Sequence, residues 1–180
     1  MNISIKKANF DFVDLDKIDR LNKEAFPEPE RIEIDDILNF VKDGHMDCLA
    51  FYDEDLFIGF MTVMLTDKIV YISFFAIQSD LRSRGYGSNI LKMIKEYYPN
   101  HCIIIDIEPL DENAENYNQR KTRKLFYERN GFFSSGYFWS YFGMTFELLC
   151  NKKKFFKDEF VELVNNFKSE EFNPIIFEKT

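Results

Sequence analysis

Apolar residues change their spacing several times along the chain, and each change marks an element. Ile3 to Lys7 is short and alternating, as in an edge strand. Val13, Leu15, Ile18, Leu21 and Ala25 approximate a helical period, with Asp11 or Asp14 placed to cap and Pro27 and Pro29 placed to end the helix. Ile34, Ile37, Leu38 and Val41 recur at i, i+3, i+4 and i+7, which predicts a second helix running to about Gly44. Three apolar runs follow, "CLAFY", "LFIGFMTVML" and "IVYISFFAI", split by the short polar connectors Asp53-Glu54-Asp55 and Asp67-Lys68. Such connectors predict antiparallel hairpins. Ile90, Leu91, Ile94, Tyr97 and Tyr98 line one face of a helix that Pro99 stops, and "CIIIDI" then reads as a strand buried on both faces. A strand, a helix and a buried strand in that order form a crossover, so the two strands are expected to be parallel.

A polar helix is predicted from about Asn116 to Asn130, closed by Gly131, and "FFSSGYFWSYFGMTFELLC" supplies two more strands. In the last 30 residues, Phe156, Phe160, Leu163, Val164 and Phe167 form the stripe of a helix that docks on the core. The whole order, β-α-α-β-β-β-α-β-α-β-β, describes a mixed sheet with helices on its faces.

Composition narrows the class. The 180 residues are 46% hydrophobic and 17% aromatic, with 21 Phe, so a single Phe-rich core is expected. No apolar run approaches the roughly 20 residues of a membrane span, and the first residues lack a signal-peptide pattern. The expectation is a soluble, non-secreted, cytoplasmic protein that does not bind membranes. Cys48, Cys102 and Cys150 are odd in number and widely spaced, and His45 and His101 form no ligand pair. Neither a disulfide framework nor a metal site is expected.

The net charge of −8 is uneven. Residues 1–81 hold 17 acids against 8 bases, whereas residues 82–129 hold 7 acids against 9 bases. An acidic chain argues against nucleic-acid binding, and the middle segment repels an anionic ligand least.

That segment contains "FAIQSDLRSRGYGSNIL", Phe75 to Leu91. The string Arg82-Ser83-Arg84-Gly85-Tyr86-Gly87 follows a strand and opens a helix. First-turn N–H groups have no internal partners and lie at the positive end of the helix dipole, which makes an anion site. Gly85 and Gly87 let a phosphate approach the backbone, Arg82 and Arg84 add charge, and Ser88 adds a donor. The string lacks the third glycine of a dinucleotide-binding loop and the Gly-Lys-Ser/Thr of a P-loop, so a nicotinamide or nucleotide enzyme is disfavoured.

The string resembles the acyl-CoA signature [Q/R]-x-x-G-x-[G/A] of the GNAT superfamily of acyl-CoA-dependent N-acyltransferases, with Arg82, Gly85 and Gly87 matching position by position. "LFYERNGF", Leu125 to Phe132, is similar to that superfamily's aromatic-Tyr-x-x-x-Gly-Phe helix ending. By element order the resemblance covers about residues 3–150 and leaves 151–180 without a counterpart. It implies a central, mostly antiparallel sheet of six to seven strands, with one parallel pair (the fourth and fifth strands) and helices on both faces. Residues 1–150 would form the acetyltransferase domain, and 151–180 a helical extension packed on it.

The resemblance also implies roles. Backbone at Phe75, Ala76 and Ile77 would hold the pantetheine arm of acetyl-CoA, the co-substrate. The loop Arg82, Ser83, Arg84, Gly85, Tyr86, Gly87 and Ser88 would hold its pyrophosphate. An acceptor amine would attack the thioester directly in a ternary complex, with Tyr127 as the acid that protonates the departing thiolate. Glu108, where partial burial would raise its pKa toward neutrality, is the candidate base, with a water relay as the alternative. Glu112 and Glu115 read as solvated loop acids. Many members carry an asparagine seven residues before that tyrosine, where this chain has Arg120, so that asparagine's role is not carried over. Arg120, Arg123, Lys124 and Tyr127 share one helical face, turned either to the CoA phosphates or to water.

The acidic first half suits a cationic acceptor, either a small-molecule amine or a basic peptide. Tyr137, Phe138, Trp139, Tyr141 and Phe142 line an acceptor pocket or cover the C-terminal helix, and clusters of this kind usually pack. Two functional classes stay open: an acetyl-CoA-dependent N-acetyltransferase, and a non-catalytic acyl-CoA-binding or sensing module. A homodimer is among the assemblies open to either.

Overall fold

The computed structural model describes residues 1–28, 30–167 and 172–178. Pro29, one of the two helix-ending prolines, lies outside the described residues, as do parts of the C-terminal extension. The order is β1 (Ile3–Ala8), α1 (Leu15–Ala25), α2 (Ile34–Lys42), β2 (Asp47–Asp53), β3 (Leu56–Leu65), β4 (Ile69–Ile77), a 3-10 turn (Ser79–Leu81), α3 (Tyr86–Tyr97), β5 (Cys102–Ile107), α4 (Tyr117–Arg129), β6 (Phe133–Tyr141), β7 (Met144–Cys150), α5 (Lys157–Asn165) and β8 (Ile175–Glu178). The fold is mixed α/β, mostly antiparallel, with one parallel pair, β4–β5. Among the described residues the strands number eight, because Ile175–Glu178 adds one to the helix foreseen in the last 30 residues.

The chain packs as two compact units, Met1–Met64 with Ile72–Tyr97, and Leu65–Tyr71 with Tyr98–Thr180. In the first, the strand order is β1-β2-β3-β4. β1 runs antiparallel to β2, with Ala8 opposite Cys48, and β2 runs antiparallel to β3. Ile18, Leu21, Ile37, Leu38, Leu49, Phe51, Phe60, Ile90 and Ile94 are buried and form its core. Val13 is 92% exposed and precedes α1, so it does not belong to that helix's apolar stripe.

In the second unit the order is β4-β5-β7-β6-β8, with each neighbouring pair from β5 to β8 antiparallel. Register separates its two faces. Asp106 stands opposite Leu148, and Trp139 stands opposite Phe146. Alternation along β7 puts Phe146 and Leu148 together, so Asp106 and Trp139 share a face. Phe160 of α5 packs edge-on against Trp139 and Tyr71, so α5 covers this face. Glu147, between Phe146 and Leu148, points to the other face, where Lys124 of α4 meets it at 2.8 Å. Helices therefore cover both faces of this unit.

Candidate functional site

In the first unit, Phe75, Ala76 and Ile77 are the last residues of β4. The chain then makes its 3-10 turn, and the Arg82 Nε donates back to the Ile77 carbonyl at 3.0 Å. Arg82 thus ties the loop to the strand end as well as carrying charge. Ser83 and Gly85 both have positive φ, 61° and 88°. A left-handed residue is ordinary for glycine and costly for serine. The pair bends the backbone so that α3 begins at Tyr86, with its first helical bond from Asn89 N–H to the Gly85 carbonyl. The N–H groups of Tyr86, Gly87 and Ser88 precede that bond and lie at the positive helix end. Arg82, Ser83, Arg84, Gly85 and Ser88 are exposed around them.

Tyr86 is the residue whose side chain turns away. It is buried, and its hydroxyl donates to Asp53 Oδ2 at 2.9 Å, while Asn2 N–H donates to Asp53 Oδ1 at 2.7 Å. These two bonds hold the Asp53 carboxyl below the usual range. Tyr86 therefore offers the loop its backbone and anchors it through β2. Sequence periodicity did not single out Asp53, because its partners lie 33 and 51 residues away.

Tyr127 and Glu108 lie in the second unit. Tyr127 is buried on α4 with its ring edge-on to Phe126 and Phe132. Among the described residues its hydroxyl makes no hydrogen bond. Burial pushes its phenol above the usual range, Arg123 opposes this, and the Asp106 carboxylate adds to it.

Glu108 follows β5 and is held by three groups. Asn116 Nδ2 donates at 3.1 Å, Arg120 pairs at 3.0 Å and Arg123 at 2.9 Å. Burial pushes this carboxyl upward, but Asn116, Arg123 and Arg120 outweigh it, and the net shift is downward. The expectation of a pKa raised toward neutrality is corrected by these cations. The basic face of α4 is likewise occupied by carboxylates: Arg120 and Arg123 meet Glu108, and Lys124 meets the buried Glu147. Glu112 and Glu115 are exposed.

The lowered pKa fixes a sign. Glu108 contributes stability above its unfolded value near 4.5, and loses it as pH falls through the lower folded value. Glu108→Gln is expected to cost about 1 kcal/mol at pH 7, a partly exposed pair being screened by solvent. The gap between wild type and variant should close in acid. Urea unfolding at neutral and acid pH measures it, and a gap that stays constant contradicts the assignment.

A profile of the acetyltransferase (GNAT) domain matches residues 44–133, half of the chain, and the protein belongs to the GNAT acetyltransferase family. The matched span runs from the end of α2 through both site segments to the start of β6. A comparison with curated proteins finds no match. Among solved structures, the chain is similar to a protein from Bacteroides thetaiotaomicron assigned to the GNAT family, at 22% identity and a TM-score of 0.74, covering 91% of this chain and 95% of that one. It is also similar to a mutant spermidine N-acetyltransferase from Vibrio cholerae (13%, TM-score 0.62, 83% and 92% covered). A third is an aminoglycoside 6'-N-acetyltransferase complexed with coenzyme A (14%, TM-score 0.59, 82% and 95% covered). At these identities the structures speak for the fold. Family membership makes the protein an acetyltransferase.

Proposed function

We propose that the protein transfers an acetyl group from acetyl-CoA to a primary amine, by direct attack of the amine nitrogen on the thioester carbonyl within a ternary complex. The observation that carries this reading is the loop Arg82–Ser88: two left-handed residues open α3 at Tyr86, with exposed arginines and first-turn N–H groups around one helix end. Those amides suit a pyrophosphate, and the backbone of Phe75–Ile77 suits the pantetheine amides. The aminoglycoside enzyme's complex with coenzyme A supports the same ligand here.

In the chemistry, nitrogen forms its bond to the carbonyl carbon as the C–S bond breaks, and the sulfur leaves as thiolate. Tyr127, kept protonated by its burial, gives that thiolate its proton. Glu108 is ionised and spanned by two arginines, which makes it a poor base. The proton of the attacking amine passes instead to water, and Glu108 acts by anchoring α4 to the end of β5.

Calorimetry with CoA and a thiol-release assay with acetyl-CoA over a set of amines test the reading. Gly87 lies in the first turn and is not among the residues with positive φ. A side chain there tests close approach rather than backbone strain. Gly87→Phe is expected to weaken CoA binding about tenfold or more, an effect of about 1.4 kcal/mol. Absence of CoA binding in the wild type overturns the proposal, and CoA binding without turnover on any amine removes its catalytic half.

A further inference from the structure

Cys102 and Cys150 have no part in the acetyl-transfer steps above. Both are buried, and both are free thiols. Cys102 opens β5 and Cys150 ends β7. Cys150 stands opposite Ile104, and Cys102 comes two residues before Ile104 on the same strand. The two thiols therefore project from one face of the sheet as diagonal neighbours. Ile104 alternates in step with Asp106, so this is the face that α5 covers.

One turn closes over the pair. Asn151 N–H donates to the Ile103 carbonyl at 3.1 Å, and the Asn151 side chain accepts from the Ile103 N–H at 2.8 Å. Beyond it the Cys150 thiol donates to the Lys152 carbonyl at 3.1 Å, and the Cys102 thiol donates to the Lys154 carbonyl at 3.6 Å. The chain then enters Phe155, which stacks on Tyr137, and α5. Two S–H groups thus fasten the start of the C-terminal extension.

The same turn favours a thiolate. Lys152 brings its charge within reach of Cys102, and Lys153 and Lys154 follow it in the chain. The Cys102 S–H, bonded to the Cys150 sulfur, holds the Cys150 thiol below its usual range, with burial opposing and the Lys152 backbone adding. Cys102 is pushed upward by that hydrogen bond and by burial. One sulfur is thus the nucleophile while its neighbour keeps a proton, which is the division between an attacking and a resolving cysteine. Cys48, in the first unit, is pushed up to about 12 by burial and by Asp47, and serves as the unreactive reference.

We propose that Cys102 and Cys150 are a peroxide-sensitive dithiol, which a small hydroperoxide converts to a disulfide that releases the Asn151–Lys154 turn. The Cys150 thiolate attacks a peroxide oxygen, the O–O bond breaks, and hydroxide leaves and is protonated to water. Cys150 is then a sulfenic acid. The Cys102 sulfur attacks the Cys150 sulfur, the S–S bond forms as the S–O bond breaks, and the Cys102 proton leaves with the hydroxide as water. Two thiols lose two electrons and two protons, and hydrogen peroxide becomes two waters. The bridge removes both S–H donors, so the Lys152 and Lys154 carbonyls lose their partners and the turn opens. This goes beyond the acetyltransferase reading and does not rest on it.

Hydrogen peroxide added to the folded chain at neutral pH tests the proposal. The protein is expected to become two hydrogen atoms lighter and to pass from three thiols to one when alkylated in urea. Its digest should contain a peptide joined through Cys102 and Cys150 that dithiothreitol splits. Cys102→Ser keeps the attacking sulfur and is expected to stop at a sulfenic acid, one oxygen heavier and captured by dimedone. Cys150→Ser is expected to react about tenfold more slowly than wild type. Trypsin, cutting after Lys153 and Lys154, is expected to cleave the oxidised protein about threefold faster than the reduced one. Three thiols that survive peroxide, oxygen gained with no hydrogen lost, or a bridge through Cys48 each overturn the disulfide. Equal cleavage of the two forms overturns the release of the turn. The thiol count and the joined peptide come from the wild type, so a serine variant that fails to fold does not hide the outcome.

Discussion

Gly59→Ala is expected to lower the stability of the protein by about 2–4 kcal/mol and to weaken CoA binding about tenfold or more. A β-carbon built at Gly59 falls 2.1 Å from the Ala76 carbonyl oxygen, 3.0 Å from the Ile77 Cα and 3.1 Å from the Ala76 carbonyl carbon. All three atoms are backbone, so no side chain can rotate aside and the strand must move. The close approach comes from a bulge. Phe51 pairs with Gly59 while Tyr52 pairs with Phe57, which leaves Ile58 as the extra residue of β3. Gln78 N–H donates to the Ile58 carbonyl at 3.0 Å, and the Gln78 side chain donates to the Phe57 carbonyl. The bulge thus holds the end of β4, and Arg82 is fastened to Ile77 in turn. Moving β4 at Ala76 moves the backbone proposed for pantetheine and the anchor of the loop together. Urea unfolding and CoA calorimetry check the two effects. A variant within about 0.5 kcal/mol of wild type and with unchanged CoA affinity shows that the strand end tolerates displacement.

The elements were legible where one local rule decided them. The polar helix α4 spans Tyr117–Arg129, with Asn116 and Asn130 at its two caps, as expected from the flanking asparagines and Gly131. The hairpin β2–β3 turns at the polar connector, on Glu54 and Asp55, and β6–β7 turns at Phe142-Gly143, where a glycine was expected at the bend. Contacts between distant residues were not legible. The cationic face of α4 is periodic in the sequence, but its partners Glu108 and Glu147 lie 15 and 23 residues from Arg123 and Lys124. Without those partners the helix reads as facing phosphate or water, and Glu108 reads as a raised carboxyl. β8 escaped because four residues, Ile175–Glu178, are too few to set up a period, and it exists through its pairing with β6. Asp106, Glu147 and Asp53 did leave a signal: Asp106 and Glu147 are lone acids inside apolar strands, and Asp53 closes one. A buried charge needs partners, so such acids mark places where a polar contact must exist. They do not say with which residue.

Tyr127→Phe is expected to lower kcat about 100-fold, the usual scale for losing a positioned general acid, and to leave CoA affinity nearly unchanged. The substitution removes one hydroxyl from a buried ring that keeps its contacts with Phe126 and Phe132. That hydroxyl has no hydrogen bond among the described residues, so its loss orphans no partner and the fold should hold at neutral pH. In catalysis the same atom is the proton source for a thiolate, whose conjugate thiol has a pKa near ~8.5. Burial raises the Tyr127 phenol, against Arg123 and with Asp106, so the proton is in place throughout the neutral range and wild-type kcat should not fall from loss of this acid below pH 10. The same shift gives a second readout. The folded protein keeps this proton at pH values where the unfolded chain has lost it, so stability from Tyr127 is full below pH 10 and declines above it. The phenylalanine variant should therefore lose less stability than wild type between neutral pH and strongly alkaline solution. Thiol-release kinetics on the amine that turns over fastest, beside urea unfolding at both pH values, measure the two arms. A kcat within about threefold of wild type removes Tyr127 as the acid. Equal alkaline sensitivity in the two proteins shows instead that its phenol titrates as it would in water.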